Sequence, residues 1–289
     1  MLADINDDIL KNYLIASSVD IRYEKEKERA FKRLVSYKED AAEFLVSQFN
    51  CGHHSRQATI EKAIISLGDK AYNPLLRKLT GDNAKDAALA AYLLGKIKAE
   101  GAVVPLIMAL KSPNGTLREA ACTAIGELKD PTAVEHLVRA LDDSLVDVRR
   151  SAAVSLGKIR VSSVVPDLIT MFEDTNYSVR YSASYAIIAI GDTSFADTLH
   201  KLLLESKGTQ KHHIIETIGG LKSEASIPVL MALTENPDSL IRGFAFQALS
   251  NYRGRYRIAN AMKKGLNDNS GFVKMMAGES LQKIRSDHN

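Results

Sequence analysis

Hydrophobic residues recur along this chain at two scales. Within short stretches they fall three or four residues apart. In residues 133–159 they are Val134, Leu137, Val138 and Leu141, and then, after Asp142, Asp143 and Ser144 interrupt the run, Val148, Ala152, Leu156 and Ile159. This 3.6-residue period lays one apolar stripe on each of two successive helices joined by a polar turn. No segment sustains a two-residue alternation rich in β-branched residues, so strands are not expected.

At the longer scale leucine stands at 75, 106, 137, 168, 199 and 230, each 31 residues after the last. The same step links Leu94, Ile125, Leu156, Ile187, Ile218 and Leu249, and also Ala90, Ala121, Ala152, Ala183 and, after Ile214, Ala245. Arg118, Arg149, Arg180 and Arg242 share a column that Lys211 completes, and Gly95, Gly126, Gly157 and Gly219 share another. A period of this size means one helix pair stacked on copies of itself. Weaker copies occupy residues 41–68 and, with one inserted residue, 258–284, placing Arg56 and Lys274 in the arginine column. The opening stretch, an apolar-periodic Ile5 to Ile15 and a charged helix from Tyr23 to Tyr37, suits a degenerate capping pair. The expected architecture is all-α: a right-handed α-solenoid of about eight to nine antiparallel helix pairs forming a single domain over 1–289. Capping helices fill 1–39, repeats fill 40–256, and a C-terminal repeat or cap fills 257–289.

Composition narrows the function classes. With 45% hydrophobic and 25% charged residues the chain is globular, and its formal net charge of +3 gives no global case for nucleic acid. No window approaches the roughly 18 consecutive apolar residues of a membrane span. The first residues carry Asp4, Asp7 and Asp8 where a signal peptide needs basic residues, so a cytoplasmic location is expected. Two cysteines, Cys51 and Cys122, are too few for a disulfide framework.

The run Leu141, Asp143, Val148-Arg149, Ala152-Ala153 and Leu156-Gly157 resembles the short HEAT repeats of the phycobilisome-lyase-like class, over about 40 to 284. The resemblance implies a HEAT solenoid. It is specific for fold and poor for function, because such repeats serve scaffolds, bilin lyases and an iron-dependent hydroxylase alike. It also implies that the acidic residue and the arginine of each unit are stacking residues. Asp143 with Arg149, Asp174 with Arg180, Asn236 with Arg242, Asp268 with Lys274 and Asn50 with Arg56 all lie six residues apart, a spacing that ties an interhelix turn to the following helix. The alanines allow close helix approach, and the glycines remove a side chain where the next unit packs.

Catalytic groups are not evident. The hydroxylase of this repeat class carries repeated His-Glu pairs, and this chain has no His-Glu dipeptide. A lyase-like or chaperone role stays open, with no residue here that singles it out. Cys51 with His53-His54 forms a local Cys-Gly-His-His, chemically able to bind a soft metal, but it falls in an interhelix turn without further nearby ligands, whereas zinc normally takes three or four from the protein, so neither metal nor cofactor is expected. His212 and His213 diverge by about 100° on a helix, one facing outward and the other into the packing. No Gly-x-Ser-x-Gly, Walker loop or GxGxxG occurs. The expected role is to hold a partner protein or peptide rather than to catalyse.

Two stretches depart from the repeat. The second helices, which line the inner wall of HEAT solenoids, offer Tyr181 and Tyr185 in one unit, His212 and Glu216 in the next, and Phe244 and Gln247 in the third. An aromatic cluster spanning units resembles a peptide-binding hot spot, since tyrosine supplies area and a hydrogen bond at low entropy cost. Ordinary packing aromatics are the plain alternative. The second departure is a stretch free of acid between Asp238 and Asp268, where Arg242, Arg253, Arg255, Arg257, Lys263 and Lys264 accumulate around Tyr252 and Tyr256. Arginine alternating with tyrosine suits phosphates and stacked bases, making nucleic acid the alternative partner; a solvated turn is the plain reading.

Overall fold

The computed structural model describes residues 2–20, 24–49, 54–208, 210–252 and 256–286, and among these every regular element is helical. The chain groups into two compact units, residues 1–155 and 156–289.

The first unit opens with α1 (Leu2–Ala16) and α2 (Glu24–Ser36), close to the expected capping pair. They bury Ile9, Tyr13, Ala30 and Leu34, and the Asp8 carboxylate accepts from Tyr37 Oη and Arg33 Nε. The edge of Tyr13 meets Phe44 at 5.6 Å, seating the cap on α3 (Glu39–Ser47). Paired helices follow: α3 with α4 (His54–Leu67), α5 (Tyr72–Leu79) with α6 (Ala84–Lys96), and α7 (Val103–Ala109) with α8 (Gly115–Leu128). Then come α9 (Val134–Ala140) and α10 (Val146–Ile159). The second unit continues with α11 (Val165–Thr170) and α12 (Tyr177–Ile190), then α13 (Ala196–Glu205) and α14 (Gln210–Leu221). It ends with α15 (Ile227–Leu233) and α16 (Ser239–Leu249), and α17 (Tyr256–Gly265) and α18 (Gly271–Ser286). The fold is an α-solenoid of stacked helix pairs.

The repeated apolar columns are the core. Leu75, Leu106, Leu137, Leu168, Leu199 and Leu230 are all fully buried on first helices, as are Leu94, Ile125, Ile187 and Leu249 on second helices. Burying one such side chain stabilises by about 1.5–3 kcal/mol, so the pattern repays each unit for stacking on its neighbour. The glycine column marks the closest approach. A Cβ on Gly95 would lie 2.7 Å from Ala124 Cα, and one on Gly157 would lie 2.7 Å from Ala186 Cα.

Four second helices start in the same way. Asn83 accepts from the amides of Lys85 (3.0 Å) and Asp86 (3.2 Å), Asn114 from Leu117 (3.1 Å), Asn176 from Ser178 (2.9 Å) and Asp238 from Leu240 (2.8 Å). These caps satisfy amides that the helix leaves without partners. The ends repeat too. Lys98, Lys129, Arg160, Gly191 and Lys222 stand 31 residues apart and all adopt positive φ, between 54° and 76°. A basic side chain there lies at the carbonyl end of a helix, where positive charge is favoured.

The arginine ladder differs from the pairing expected from sequence. Arg149 Nη1 donates to the backbone carbonyl of Asp143 at 2.8 Å, whereas the Asp143 carboxylate is gripped by Arg118, from Nε at 2.6 Å and Nη2 at 2.8 Å. Arg242 repeats this, with Nη1 on the Asn236 carbonyl (2.7 Å) and its fork on Asp268 (both 2.8 Å). Arg118 and Arg180 likewise reach the carbonyls of Ser112 (2.9 Å) and Asp174 (2.7 Å). Each arginine therefore closes its own turn through the backbone. Arg118 and Arg242 also clasp the acid of the following turn, because the guanidinium has donors enough for both. These bonds hold the Asp143 and Asp268 carboxyls below their ordinary range.

Candidate functional site

On the second helices of residues 156–289 the repeat positions outside the core carry rings. Tyr177, Tyr181 and Tyr185 recur every four residues along α12 and are each about half exposed, at 53%, 49% and 50%. A four-residue step keeps side chains on one helix face, so they form a ridge. On α14 the adjacent histidines part as helical geometry requires: His213 is fully buried and His212 half-buried. The His213 ring lies 4.6 Å from Tyr177, 6.5 Å from Tyr181 and 5.0 Å from His212. His212 stacks on Phe244 of α16, with centroids 3.7 Å apart and planes at 15°, and Phe244 meets the edge of Phe272 of α18 at 5.6 Å. A row of aromatic rings thus runs across four consecutive second helices.

Beside the row is a cavity of about 200 Å³ lined by His212, Glu216, Phe244, Gln247, Asn251 and Lys283, with Ile188, Gly220 and Ala248 behind them. A break in the glycine column accounts for part of its shape. Ile188 stands where Gly95, Gly126, Gly157 and Gly219 stand in other units, and its side chain lies over Gly220, where any Cβ would collide with it. The cavity's polar groups are unequal. Lys283 Nζ donates to Asn251 Oδ1 at 2.9 Å and to Ser250 Oγ at 3.3 Å. Glu216 Oε2 is buried without a hydrogen bond, and His213 Nδ1 lies 3.7 Å from it. Burial holds the His212 imidazole below its ordinary range, His213 adds to this, and Glu216 opposes it.

Of the sequence-selected residues, His212, Glu216, Phe244 and Gln247 come together in the cavity. Tyr181 joins the row through His213 rather than through His212, and Tyr185 stands on the ridge outside the cavity lining. Tyr177, Phe272, Asn251 and Lys283 were missed, and His213 was read only as one of a diverging pair, not as part of the site. Tyr177 had a signal, one turn before Tyr181, and so had Lys283, which with the one inserted residue stands in the column of Gly220 and Asn251.

The basic segment is rearranged relative to expectation. Arg242 is a ladder residue, its guanidinium committed to Asp268 and to the carbonyls of Asn236 and Pro237. Tyr252 is not an exposed stacking ring: it is 4% exposed and its hydroxyl donates to the Ile218 carbonyl at 3.2 Å, because it packs against the preceding second helix. Arg257, Lys263 and Lys264 are exposed on α17, whereas Arg253 and Arg255 lie outside the described residues. Cys51 and His53 also lie outside them. Among the described residues no group of three or more His, Cys, Asp or Glu is arranged to hold a metal ion, and no helix is long and apolar enough to cross a membrane. Cys122 is buried on α8, and desolvation pushes its thiol up to about 12.

The fold and its columns define a class of stacked-pair repeat proteins, and the comparisons agree. A family model for HEAT repeats matches residues 72–157 and 146–210. The chain carries HEAT repeats over residues 72–210. No curated protein matches the sequence. Among solved structures it is similar to YibA of E. coli, with a TM-score of 0.57 and 16% identity over 86% of this chain and 95% of that one. It is similar also to Kap95 in the Kap95:Nup1 complex, with a TM-score of 0.63 and 13% identity over 87% of this chain and 41% of that one. The phycocyanin lyase pair CpcE and CpcF of Nostoc aligns at a TM-score of 0.44 and 18% identity, over 84% of this chain and 94% of that one.

Proposed function

We propose that the protein is a scaffold that holds an extended segment or helix of a partner protein along the second helices of residues 156–289. The observation that carries this is the aromatic row from the α12 tyrosines through His213 and His212 to Phe244 and Phe272, with half-exposed rings at one end and a cavity beside it. Exposed aromatics beside a preformed concavity are what a peptide anchor needs: large area, few rotamers to freeze and little reorganisation. A core has no use for three half-exposed tyrosines on one ridge. The reading assigns no catalytic step to the chain.

The test is the double variant Tyr181→Ala/Tyr185→Ala, set beside Arg253→Gln/Arg255→Gln/Arg257→Gln, with affinity measured for the partner recovered from the source cell. Loss of the two rings is expected to weaken binding roughly thirtyfold, about 2 kcal/mol, with melting preserved. Unchanged affinity in the tyrosine variant together with loss in the arginine variant would discard the wall and move the site to the basic segment. The nucleic-acid reading of that segment is weaker than its composition suggests, since Arg242 and Tyr252 are both engaged within the fold.

A further inference from the structure

The cavity beside the aromatic row holds one anion and one cation in different states of engagement. Lys283 is hydrogen-bonded to Asn251 Oδ1 and Ser250 Oγ, at 2.9 Å and 3.3 Å. Glu216 is less engaged: its side chain is 39% exposed, its buried Oε2 accepts no hydrogen bond, and His213 Nδ1, itself without a partner, lies 3.7 Å away, beyond hydrogen-bond reach. A buried carboxylate oxygen without a donor is costly, and native structures rarely tolerate one without a ligand, water or ion to fill it. A donor can reach the carboxylate through the cavity, which His212 and Phe244 also line. Aromatic faces attract cations and repel anions. Burial keeps His212 below its ordinary range, so near neutral pH the wall beside Glu216 is an uncharged ring. About 200 Å³ is smaller than the usual small-molecule or cofactor site of about 300–1,000 Å³ and suits a single side chain.

We propose that this cavity receives a basic side chain, arginine or lysine, from the partner segment, with Glu216 as its counter-ion and the His212–Phe244 stack as its apolar wall. The inference rests on reading the second-helix wall as a peptide-binding surface and specifies the chemistry of the anchor. Arginine fits best, since its planar fork satisfies both carboxylate oxygens while its face lies against a ring. The neighbouring tyrosine ridge takes the flanking residues of the same segment.

The experiment uses the full-length chain, immobilised, and degenerate nonapeptide mixtures with arginine, lysine, glutamate or leucine fixed at the centre. The arginine and lysine mixtures are expected to be retained over the other two, and the best basic peptide is then titrated by fluorescence anisotropy. Glu216→Gln, which keeps the shape and removes the charge, should weaken that peptide by about tenfold or more. Phe244→Leu should weaken the same peptide, and Lys201→Gln, at an exposed position of α13 outside the cavity, should leave it within about threefold; thermal melting checks that each variant is folded. Retention of the glutamate mixture, lost in Lys283→Gln, would overturn the proposal, as would a basic peptide indifferent to Glu216→Gln. Binding that falls in Tyr181→Ala/Tyr185→Ala yet ignores both the fixed residue and Glu216 would keep the wall and discard the basic anchor. Retention of no mixture would overturn both.

Discussion

The second helices of the two units occupy the same repeat columns and present opposite chemistry. In the first unit one column reads Ala88, Glu119 and Arg150, and the column four residues on reads Tyr92, Thr123 and Val154. In the second unit the same columns read Tyr181, His212 and Gly243, then Tyr185, Glu216 and Gln247. The polar groups of the first wall satisfy one another. Arg150 reaches Glu119 at 3.3 Å and Asp147 at 3.3 Å, and Lys96 lies over the Tyr92 ring at 5.2 Å. The shallow recess there, about 410 Å³, is floored by small residues such as Ala88, Ala120, Thr116 and Thr123. In the second wall the tyrosines stay open and a carboxylate oxygen lacks a donor. A repeat therefore sets where a side chain stands without setting what it does, and function is assigned where a unit leaves its side chains uncommitted.

The comparison breaks first if the shared framework is not shared energetically. Leu137→Ala in the first unit and Leu199→Ala in the second remove equivalent, fully buried side chains, and each should destabilise by about 3 kcal/mol, within the usual span of about 2–5. Urea denaturation followed by circular dichroism measures both. A loss under about 1 kcal/mol at either position would mean that its column is not core.

A smaller effect is expected from the ladder. Arg118→Ala and Arg242→Ala each remove two charge-assisted bonds to an acid and two to backbone carbonyls, and should cost about 2 kcal/mol. Arg149→Ala leaves the grip of Arg118 on the Asp143 carboxylate in place. The sign with pH follows from the depressed carboxyls. Because folding lowers the Asp143 and Asp268 pKa values, the rungs contribute fully above the unfolded carboxyl value near ~4 and are lost as pH falls through the folded values. Melting temperature measured between about pH 5 and pH 2 should fall less steeply in Arg118→Ala than in the wild type. Parallel curves would show that Arg118 is not what holds Asp143 ionised.

The smallest effect sharpens the contrast between the walls. Tyr181→Ala/Tyr185→Ala should change folding stability by less than about 1 kcal/mol, since both rings are half in solvent. Glu119→Ala/Arg150→Ala should cost a similar about 0–1 kcal/mol, as partly exposed pairs do. Only the tyrosine variant should then lose a partner. A tyrosine variant that melts several kcal/mol lower would make the ridge a packing feature and erase the difference between the units.

What sequence alone determined is whatever depends on local period and on the 31-residue step. The helix pairs, the leucine and alanine columns, the close approach at Gly95 and Gly157, and the placement of His212 and Glu216 one unit beyond Tyr181 and Tyr185 all follow, because identical units packed identically bring identical positions together. What tertiary structure alone decided is which atoms meet across units. The six-residue spacing of Asp143 and Arg149 is real, yet the carboxylate went to Arg118, 25 residues earlier, while Arg149 took the carbonyl. Tyr252 reads as part of an arginine–tyrosine run and is instead core, since its neighbours in space are on the preceding helix. His213 and Phe244 share one column, and Asn251 and Lys283 another once the inserted residue is counted, yet which of their side chains enter the row or the cavity is set only by the tertiary structure. Side-chain reach and the direction of each Cβ selected those partners, and neither quantity is periodic in the sequence.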